Sequence, residues 1–373
     1  MVEGVKPAED GRWCKFSRNK YFVFILVFAG LFLIYNRNTI IPDENPKKWM
    51  QNQSANLLNF FSGQRLNISS LNTTTNDNST SQNTTVPPTP VPYVSPGPYL
   101  VEYPHDYQYI INEPQKCEQE NPFVVLIIPV APNNRKHRDI IRKTWGSESL
   151  VLDKVVRPFF LLGLHTGEEV EQVQQQVLEE SKEHHDLIQS NFVDCYKNLT
   201  IKTMVMLEWL TAHCSSPSYA MKIDSDMFLN VHNLVSMLLN AQKANYMTGL
   251  VARGAAVLRD PSSKWYLPHD IYAPPQYPRY ALGLGYILSL DLPKKLIEAS
   301  RHVKAVYIED VYLGLLMQHL GIPPTDPPNW GYFHVFPLQY NRCAFSGIVA
   351  TTTDPNTNRE QIWNDFKNPG PYC

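Results

Sequence analysis

The chain of 373 residues has almost no net charge, with 33 Lys and Arg against 35 Asp and Glu and a formal balance of -2. It therefore lacks the basic field that holds a polyanion, which excludes general nucleic-acid binding. Cysteine is scarce, 6 in all, and no two are spaced Cys-x-x-Cys. That excludes structural zinc of the thiolate kind. No internal repeat is visible. Long apolar runs are absent with one exception, residues 21–35, which carry no charge at all. No small-x-small cleavage site follows that run, which argues against a cleaved signal peptide.

The run reads instead as an uncleaved anchor. A bilayer takes roughly 20 apolar residues, fewer where it is thin. Lys15, Arg18 and Lys20 precede it and Arg37 follows. This basic excess keeps the N-terminal side cytosolic. The expected layout is a cytosolic tail over 1–20, an anchor over 21–35, a stem over 36–116 and a luminal domain over 117–373. The stem is rich in Asn, Ser, Thr and Pro, and Asn52, Asn67, Asn72, Asn78 and Asn83 each begin an Asn-x-Ser/Thr sequon. Pro87 to Pro98 favour extended backbone. The Tyr- and Ile-bearing stretch 107–111 is expected to pack on the domain that follows. Cys14 precedes the anchor, and the other five cysteines face an oxidising lumen. Two bridges and one remaining thiol are expected there, with the pairing open.

From Cys117 onward strand and helix signals alternate. Apolar runs at 123–130, 159–164 and Tyr219–Ile223 predict buried strands, with another ending near Phe192. Helical spacing predicts helices after 133, over 167–184, Leu199–His213, 231–241, Leu292–Ser300, 311–320 and Arg359–Phe366. Residues 246–258 look β-rich, 262–278 form an aromatic, proline-rich loop, and short strands are expected at 285–290, 332–336 and 347–351. Such alternation predicts an α/β fold with a mostly parallel, helix-covered sheet.

Open sheets of this kind bind ligands beyond the carboxyl ends of their strands. Asp224 and Asp226 stand there. In extended chain, residues two apart face one way, and paired hard oxygens suit Mn²⁺ or Mg²⁺. A turn or a helix cap is the plainer reading. Arg138 and Arg142, four apart on a predicted helix, share a face that could hold phosphates; a solvated basic face is the alternative. Asp194, Asn198 and Lys202 form a second polar set. Asn198 also begins a sequon, so it could carry glycan or cap a helix. In Glu309-Asp310, adjacent residues are not expected to reach one site together. Asp310 is either an N-cap or a general base for an acceptor hydroxyl. Gly314 would allow close backbone approach. Aromatic residues at 264–266 and 277–280, followed by Gly283 and Gly285, could meet a sugar ring. His334 is a lone imidazole among apolar neighbours, more commonly core than metal ligand.

In order along the chain, Ile141-Arg142-Lys143-Thr144-Trp145-Gly146, Asp194-x-Tyr196-x-Asn198-Leu199-Thr200-x-Lys202-Thr203, Lys222-Ile223-Asp224-Ser225-Asp226-Met227-Phe228, Tyr277-Pro278-x-Tyr280, Gly283-x-Gly285-Tyr286 and Glu309-Asp310-Val311-Tyr312-x-Gly314 resemble one family. It is the Golgi β1,3-glycosyltransferases, the β1,3-galactosyltransferase and β1,3-N-acetylglucosaminyltransferase group. The resemblance covers roughly residues 117–373, and the anchor and stem resemble the family's type II layout in the Golgi membrane. It implies a GT-A-like fold and an inverting transfer from a UDP-sugar, assisted by Mn²⁺, to a glycoprotein or glycolipid. It implies Asp226 as metal ligand, Asp224 as a second ligand or an orienter of the donor, and His334 as a third ligand. It implies Asp310 as base, and Arg138, Arg142 and Lys202 as part of the nucleotide pocket. Ser263-Lys264-Trp265-Tyr266, Pro268 and Asp270-x-Tyr272 look more like the galactosyltransferase branch, which implies UDP-galactose and a β-linked N-acetylhexosamine. UDP-GlcNAc as donor, or a catalytically silent luminal glycan-binding protein, are the competing readings.

Overall fold

The computed structural model describes residues 96–373. The tail, the anchor, Cys14 and the stem sequons at Asn52, Asn67, Asn72, Asn78 and Asn83 lie outside the described residues. No helix among the described residues is long and apolar enough to cross a membrane.

The strands in chain order are β1 (Tyr109–Ile111), β2 (Val124–Pro129), β3 (Leu150–Val151), β4 (Lys154–Leu164), β5 (Leu187–Val193), β6 (Tyr219–Ile223), β7 (Met227–Leu229), β8 (Met247–Ala252), β9 (Tyr280–Ser289), β10 (Phe333–His334) and β11 (Ala350–Thr352). The helices are α1 (Lys116–Glu120), α2 (Arg135–Lys143), α3 (Val170–His184), α4 (Leu199–His213), α5 (Val231–Leu239), α6 (Leu292–Ser300), α7 (Glu309–His319), α8 (Arg342–Ser346) and α9 (Arg359–Phe366).

β2 shows why the sheet lies at the centre. Val124 to Ile128 are all buried, and alternate residues of a strand point to opposite faces. Val125 and Ile127 join a core built with α4, α6 and α7. Val124, Leu126 and Ile128 join a second core built with α2, α5 and α9. Each such side chain contributes about 1.5–3 kcal/mol by leaving water. The main sheet runs β1-β5-β4-β2-β6-β9-β8.

The expectation of a mostly parallel sheet needs correction. β5, β4, β2 and β6 are parallel, but β1 runs against β5, β9 against β6 and β8 against β9. The sheet is mixed. After β6 the chain crosses through α5 to the far edge, enters as β8 and returns as β9 in the gap. A smaller sheet, β10-β11-β7, packs beside it, with β7 directly after Asp226.

Packed chain also begins earlier than Cys117. Leu100 bridges Val306, and the Val101 amide donates to the Ala305 carbonyl at 2.8 Å. Val101, Tyr103 and Ile111 are buried, and the Tyr103 hydroxyl donates to Glu208 at 2.6 Å. The segment 107–111 packs on the domain as edge strand β1, so the C-terminal part of the stretch drawn as stem belongs to the fold. Cys117 bonds Cys214 and Cys343 bonds Cys373, and Cys195 is disulfide-bonded as well, so the remaining thiol expected from the count is not found among the described residues.

Between β8 and β9 the chain makes an excursion over 253–279. Its base is latched by the Ala256–Gln276 bridge and by the Val257 amide donating to the Pro275 carbonyl at 2.9 Å. Leu267 is buried, and Arg259 donates to the carbonyls of Tyr272 (2.7 Å) and Pro274 (2.9 Å).

Candidate active site at the β6–β9 end

Asp224 and Asp226 do lie beyond the end of β6, but not in extended chain. The Met227 amide donates to the Asp224 carbonyl at 3.2 Å, which closes a turn. The turn is held from three sides. Arg359 of α9 donates to the Ser225 carbonyl at 2.5 Å, His137 of α2 meets Ser225 Oγ at 3.3 Å, and the Thr353 amide donates to the Asp226 carbonyl at 3.1 Å. The Asp226 side chain is exposed. Asp224 is tied down: its Oδ1 accepts from Lys222 Nζ at 2.6 Å and its amide donates to the Leu284 carbonyl at 3.0 Å. Burial pushes the Asp224 carboxyl up, and Lys222 pulls it back.

Lys222 reaches across to β9. It stands opposite Tyr286 in the register, and its Nζ also donates to the Gly283 carbonyl. Burial works against its ammonium, but Asp224 and Glu309 outweigh burial and raise its pKa. The Gly283 amide faces the other way and donates to Asp310 Oδ2 at 2.9 Å. Asp310 Oδ1 accepts from the Val311 amide at 2.8 Å. Burial pushes the Asp310 carboxyl up against these two amides. Asp310 is not an N-cap, because α7 already begins at Glu309 and Ile308 holds the cap position.

Glu309 corrects a second expectation. Its Oε2 and Asp310 Oδ2 would lie 2.9 Å and 3.5 Å from a Cβ built on Gly283. Both adjacent carboxylates therefore converge on one residue, the longer Glu side chain bending around the helix start. Glu309 Oε1 accepts from Tyr286 at 2.7 Å and from Thr203 at 2.9 Å. Burial lifts its pKa to about 7 despite the pull of Lys222. Gly314 fits its expected part: a Cβ there would lie 2.6 Å from Tyr280 Cβ, so α7 lies directly on β9.

Lys202 belongs to the neighbouring strand ends. Its Nζ donates to Asp194 Oδ2 at 2.7 Å and to the Val130 carbonyl at 3.0 Å, and the Gly163 amide donates to the same Asp194 oxygen at 2.8 Å. Burial lowers the Lys202 pKa against the pull of Asp194. Lys202, Thr203, Lys222 and Glu309 line one small cavity beside Pro129.

The arginines are placed otherwise. Arg138 and Arg142 share a face, as their spacing requires, but that face meets Glu180. Arg138 is 1% exposed and gives Glu180 two bonds, at 2.7 and 2.6 Å. It also donates to the Ala131 and Pro132 carbonyls, both at 3.0 Å, so it shapes the loop after β2 and presents nothing to a nucleotide. Arg142 is held by both oxygens of Asp186 at 2.8 Å and by Asp139. His334 sits in β10, and its Nε2 meets the Gly331 carbonyl at 3.0 Å. Among the described residues no three His, Cys, Asp or Glu side chains are gathered as metal ligands. Asn198 caps nothing with its side chain; its Nδ2 donates to the Val193 carbonyl at 2.9 Å, and Thr200 of its sequon is buried.

Residues 136–328 match the family model described as galactosyltransferase. The chain belongs to the galactosyltransferase family. "Beta-1,3-galactosyltransferase 2" of Homo sapiens is 38% identical over 266 residues, 70% of this chain and 63% of that one, so the match spans less than two thirds of that relative. "Beta-1,3-galactosyltransferase 1" of Mus musculus is 36% identical over 266 residues, 70% of this chain and 79% of that one. An apo bifunctional glycosyltransferase, WbbM, superposes with a TM-score of 0.37 at 11% identity, over 66% of this chain and 50% of that one. At that score the likeness adds nothing to the family match.

In this galactosyltransferase-family chain, Lys222, Tyr286 and Thr203 stand in the motifs but had no role assigned from sequence, and Arg359 was only the start of a helix. Lys222 had a legible signal, since a single cation inside the otherwise apolar Tyr-Ala-Met-Lys-Ile is buried and must find partners. Arg359 had none, because it lies 133 residues (359 − 226) beyond Asp226.

Proposed function

We propose that the protein is an inverting β1,3-galactosyltransferase on a GT-A-like frame, moving galactose from UDP-galactose to the 3-hydroxyl of a β-linked N-acetylhexosamine on a glycoprotein or glycolipid. One observation carries the reaction type: a solvent-facing carboxylate pair at the end of β6 stands one strand away from a separate, half-buried carboxylate on β9's Gly283. Similarity to the β1,3-galactosyltransferases supports the donor and the linkage.

The chemistry divides between the two ends. The acceptor oxygen attacks the anomeric carbon, the bond from that carbon to the diphosphate breaks, and the acceptor proton passes to Asp310. Burial makes Asp310 a stronger base than an ordinary aspartate, and general base catalysis is worth about 10²–10⁴-fold. Gly283 and Val311 amides fix both its oxygens. At the other end the donor set is hard: the exposed Asp226 carboxylate and Asp224. Two such groups suit a Mn²⁺-type ion that completes its shell with water and phosphate. When bound there, such an ion neutralises charge on the departing diphosphate. Lys202 supplies positive charge to the same strand ends, and Arg138 acts by holding the loop after β2 while Arg142 ties α2 to Asp186 and Glu180. The basic-flanked apolar run at 21–35 and the sequon-rich stretch after it support a type II membrane protein with this domain in the Golgi lumen.

The test is an array of β-linked acceptors with UDP-galactose, UDP-GlcNAc and UDP-GalNAc, with product linkage determined. Transfer from UDP-galactose to a 3-hydroxyl is expected, slowed about 10²–10⁴-fold in Asp310→Asn. Transfer only from UDP-GlcNAc overturns the donor, and sugar binding without any turnover overturns the enzyme reading.

A further inference from the structure

Lys222 sits where the two ends of the site meet. Its ammonium has three N–H donors. One goes to Asp224 Oδ1 at 2.6 Å and another to the Gly283 carbonyl. The amide of that same Gly283 goes to Asp310 Oδ2 at 2.9 Å. A continuous run of three hydrogen bonds thus connects the Asp224 turn to Asp310, with Lys222 and one glycine residue as the links. Lys222 is 7% exposed, so water does not compete for these bonds. The glycine is seated on its other side by Glu309, whose Oε2 would lie 2.9 Å from an added Cβ.

We propose that Lys222 is a positioning residue that sets Asp310 relative to the Asp224 turn through Gly283. This rests on the reading of Asp310 as base and of the turn as the donor end. Lys222 touches no reacting atom. It fixes the spacing between the group that takes the proton and the groups that hold the donor, and a misplacement of about 1 Å in such a pair costs about 10²-fold in rate. A purely structural lysine would do something else: it would supply one positive charge to Asp224, Glu309 and Asp310, and any cation of similar size would serve.

Lys222→Arg separates the two roles in the full-length protein. It keeps the charge but replaces one compact ammonium by a planar fork with different reach. The expected result is a melting temperature close to wild type and a kcat for galactose transfer about 10²-fold lower, with a raised KM for UDP-galactose. Wild-type kcat and KM in Lys222→Arg would overturn the proposal. If that variant melts early, a cycle with Asp310→Asn decides. Should Lys222 act through Asp310, the double variant is no slower in kcat than Asp310→Asn alone. A full additional loss in the double variant would overturn it. Gly283→Ala gives an independent check, because it disturbs the shared residue with Lys222 intact and should lower kcat similarly. Asp310→Asn by itself tests the underlying reading: undiminished transfer there sinks the base assignment, whereas slowed transfer beside an unaffected Lys222→Arg sinks only the positioning role.

Discussion

At the scale of single residues, the site is a set of carboxylates whose neighbours make them unequal. Asp226 is exposed, while Asp224 already gives one oxygen to Lys222. Asp226→Ala is therefore expected to abolish metal-dependent UDP-galactose binding, and Asp224→Asn to leave part of it; titration calorimetry with and without Mn²⁺ compares the two. Glu309 is the other unequal member. Its pKa rises from 4.5 to about 7 because burial favours the neutral acid. Between those values the folded chain keeps a proton that the unfolded chain has released, so stability falls as pH rises from 4.5 towards 7. The full difference is on the order of 3 kcal/mol. Glu309→Gln stays neutral and should lose that part of the slope in urea melts across this range. The carboxylates were legible because their chemistry shows in any reading of the chain. Their convergence was not: Glu309 and Asp310 meet at Gly283 only because β9 lies against the start of α7, a contact between residues 26 apart (309 − 283).

At the scale of elements, the approach of α7 to β9 is the contact on which the base depends. Gly314→Ala places a methyl 2.6 Å from Tyr280 Cβ and 3.1 Å from the Arg279 carbonyl. Overpacking of this kind costs about 1–3 kcal/mol, and because it pries α7 from Gly283 it should lower kcat beyond its effect on stability. Chemical denaturation and initial rates measure the two. Helix α2 invites the opposite result. Arg138→Ala leaves Glu180 buried without its main partner, a loss of about 3–5 kcal/mol, with donor KM unchanged in whatever folds. Most strands and helices were legible from apolar runs and helical spacing. Strand direction was not, because a buried antiparallel strand such as β9 has the same apolar run as a parallel one. In the small sheet, β10 and β11 fall at the strands expected over 332–336 and 347–351, whereas β7, three residues directly after Asp226, is too short for any periodicity and was missed. The face shared by Arg138 and Arg142 was legible, but not what it faced: Glu180 belongs to α3, brought in by the parallel β4–β5 crossover.

At the scale of the molecule, the segment 99–111 is a strap across the sheet's edge and the start of α7. A fragment beginning at residue 99 is expected to fold. One beginning at 117 loses the buried Val101, Tyr103 and Ile111, and it uncovers β5 as an edge strand open to pairing with other chains. Melting temperature and light scattering of the two fragments check this. The sequence hinted at the strap through its Tyr and Ile residues, but composition assigned the stretch to the stem, since its partners lie from 81 (190 − 109) to 206 (306 − 100) positions later. The excursion over 253–279 has a different standing. It leaves and re-enters the sheet at a latched base, and its Val257, Leu267 and Tyr277 join the core built with α4, α6 and α7. The acid groups, Lys222 and Gly283 all lie outside it. Tyr307, just ahead of α7, donates to the Lys264 and Tyr266 carbonyls, so a change within these 27 residues (279 − 253 + 1) reaches the start of the helix that carries Asp310.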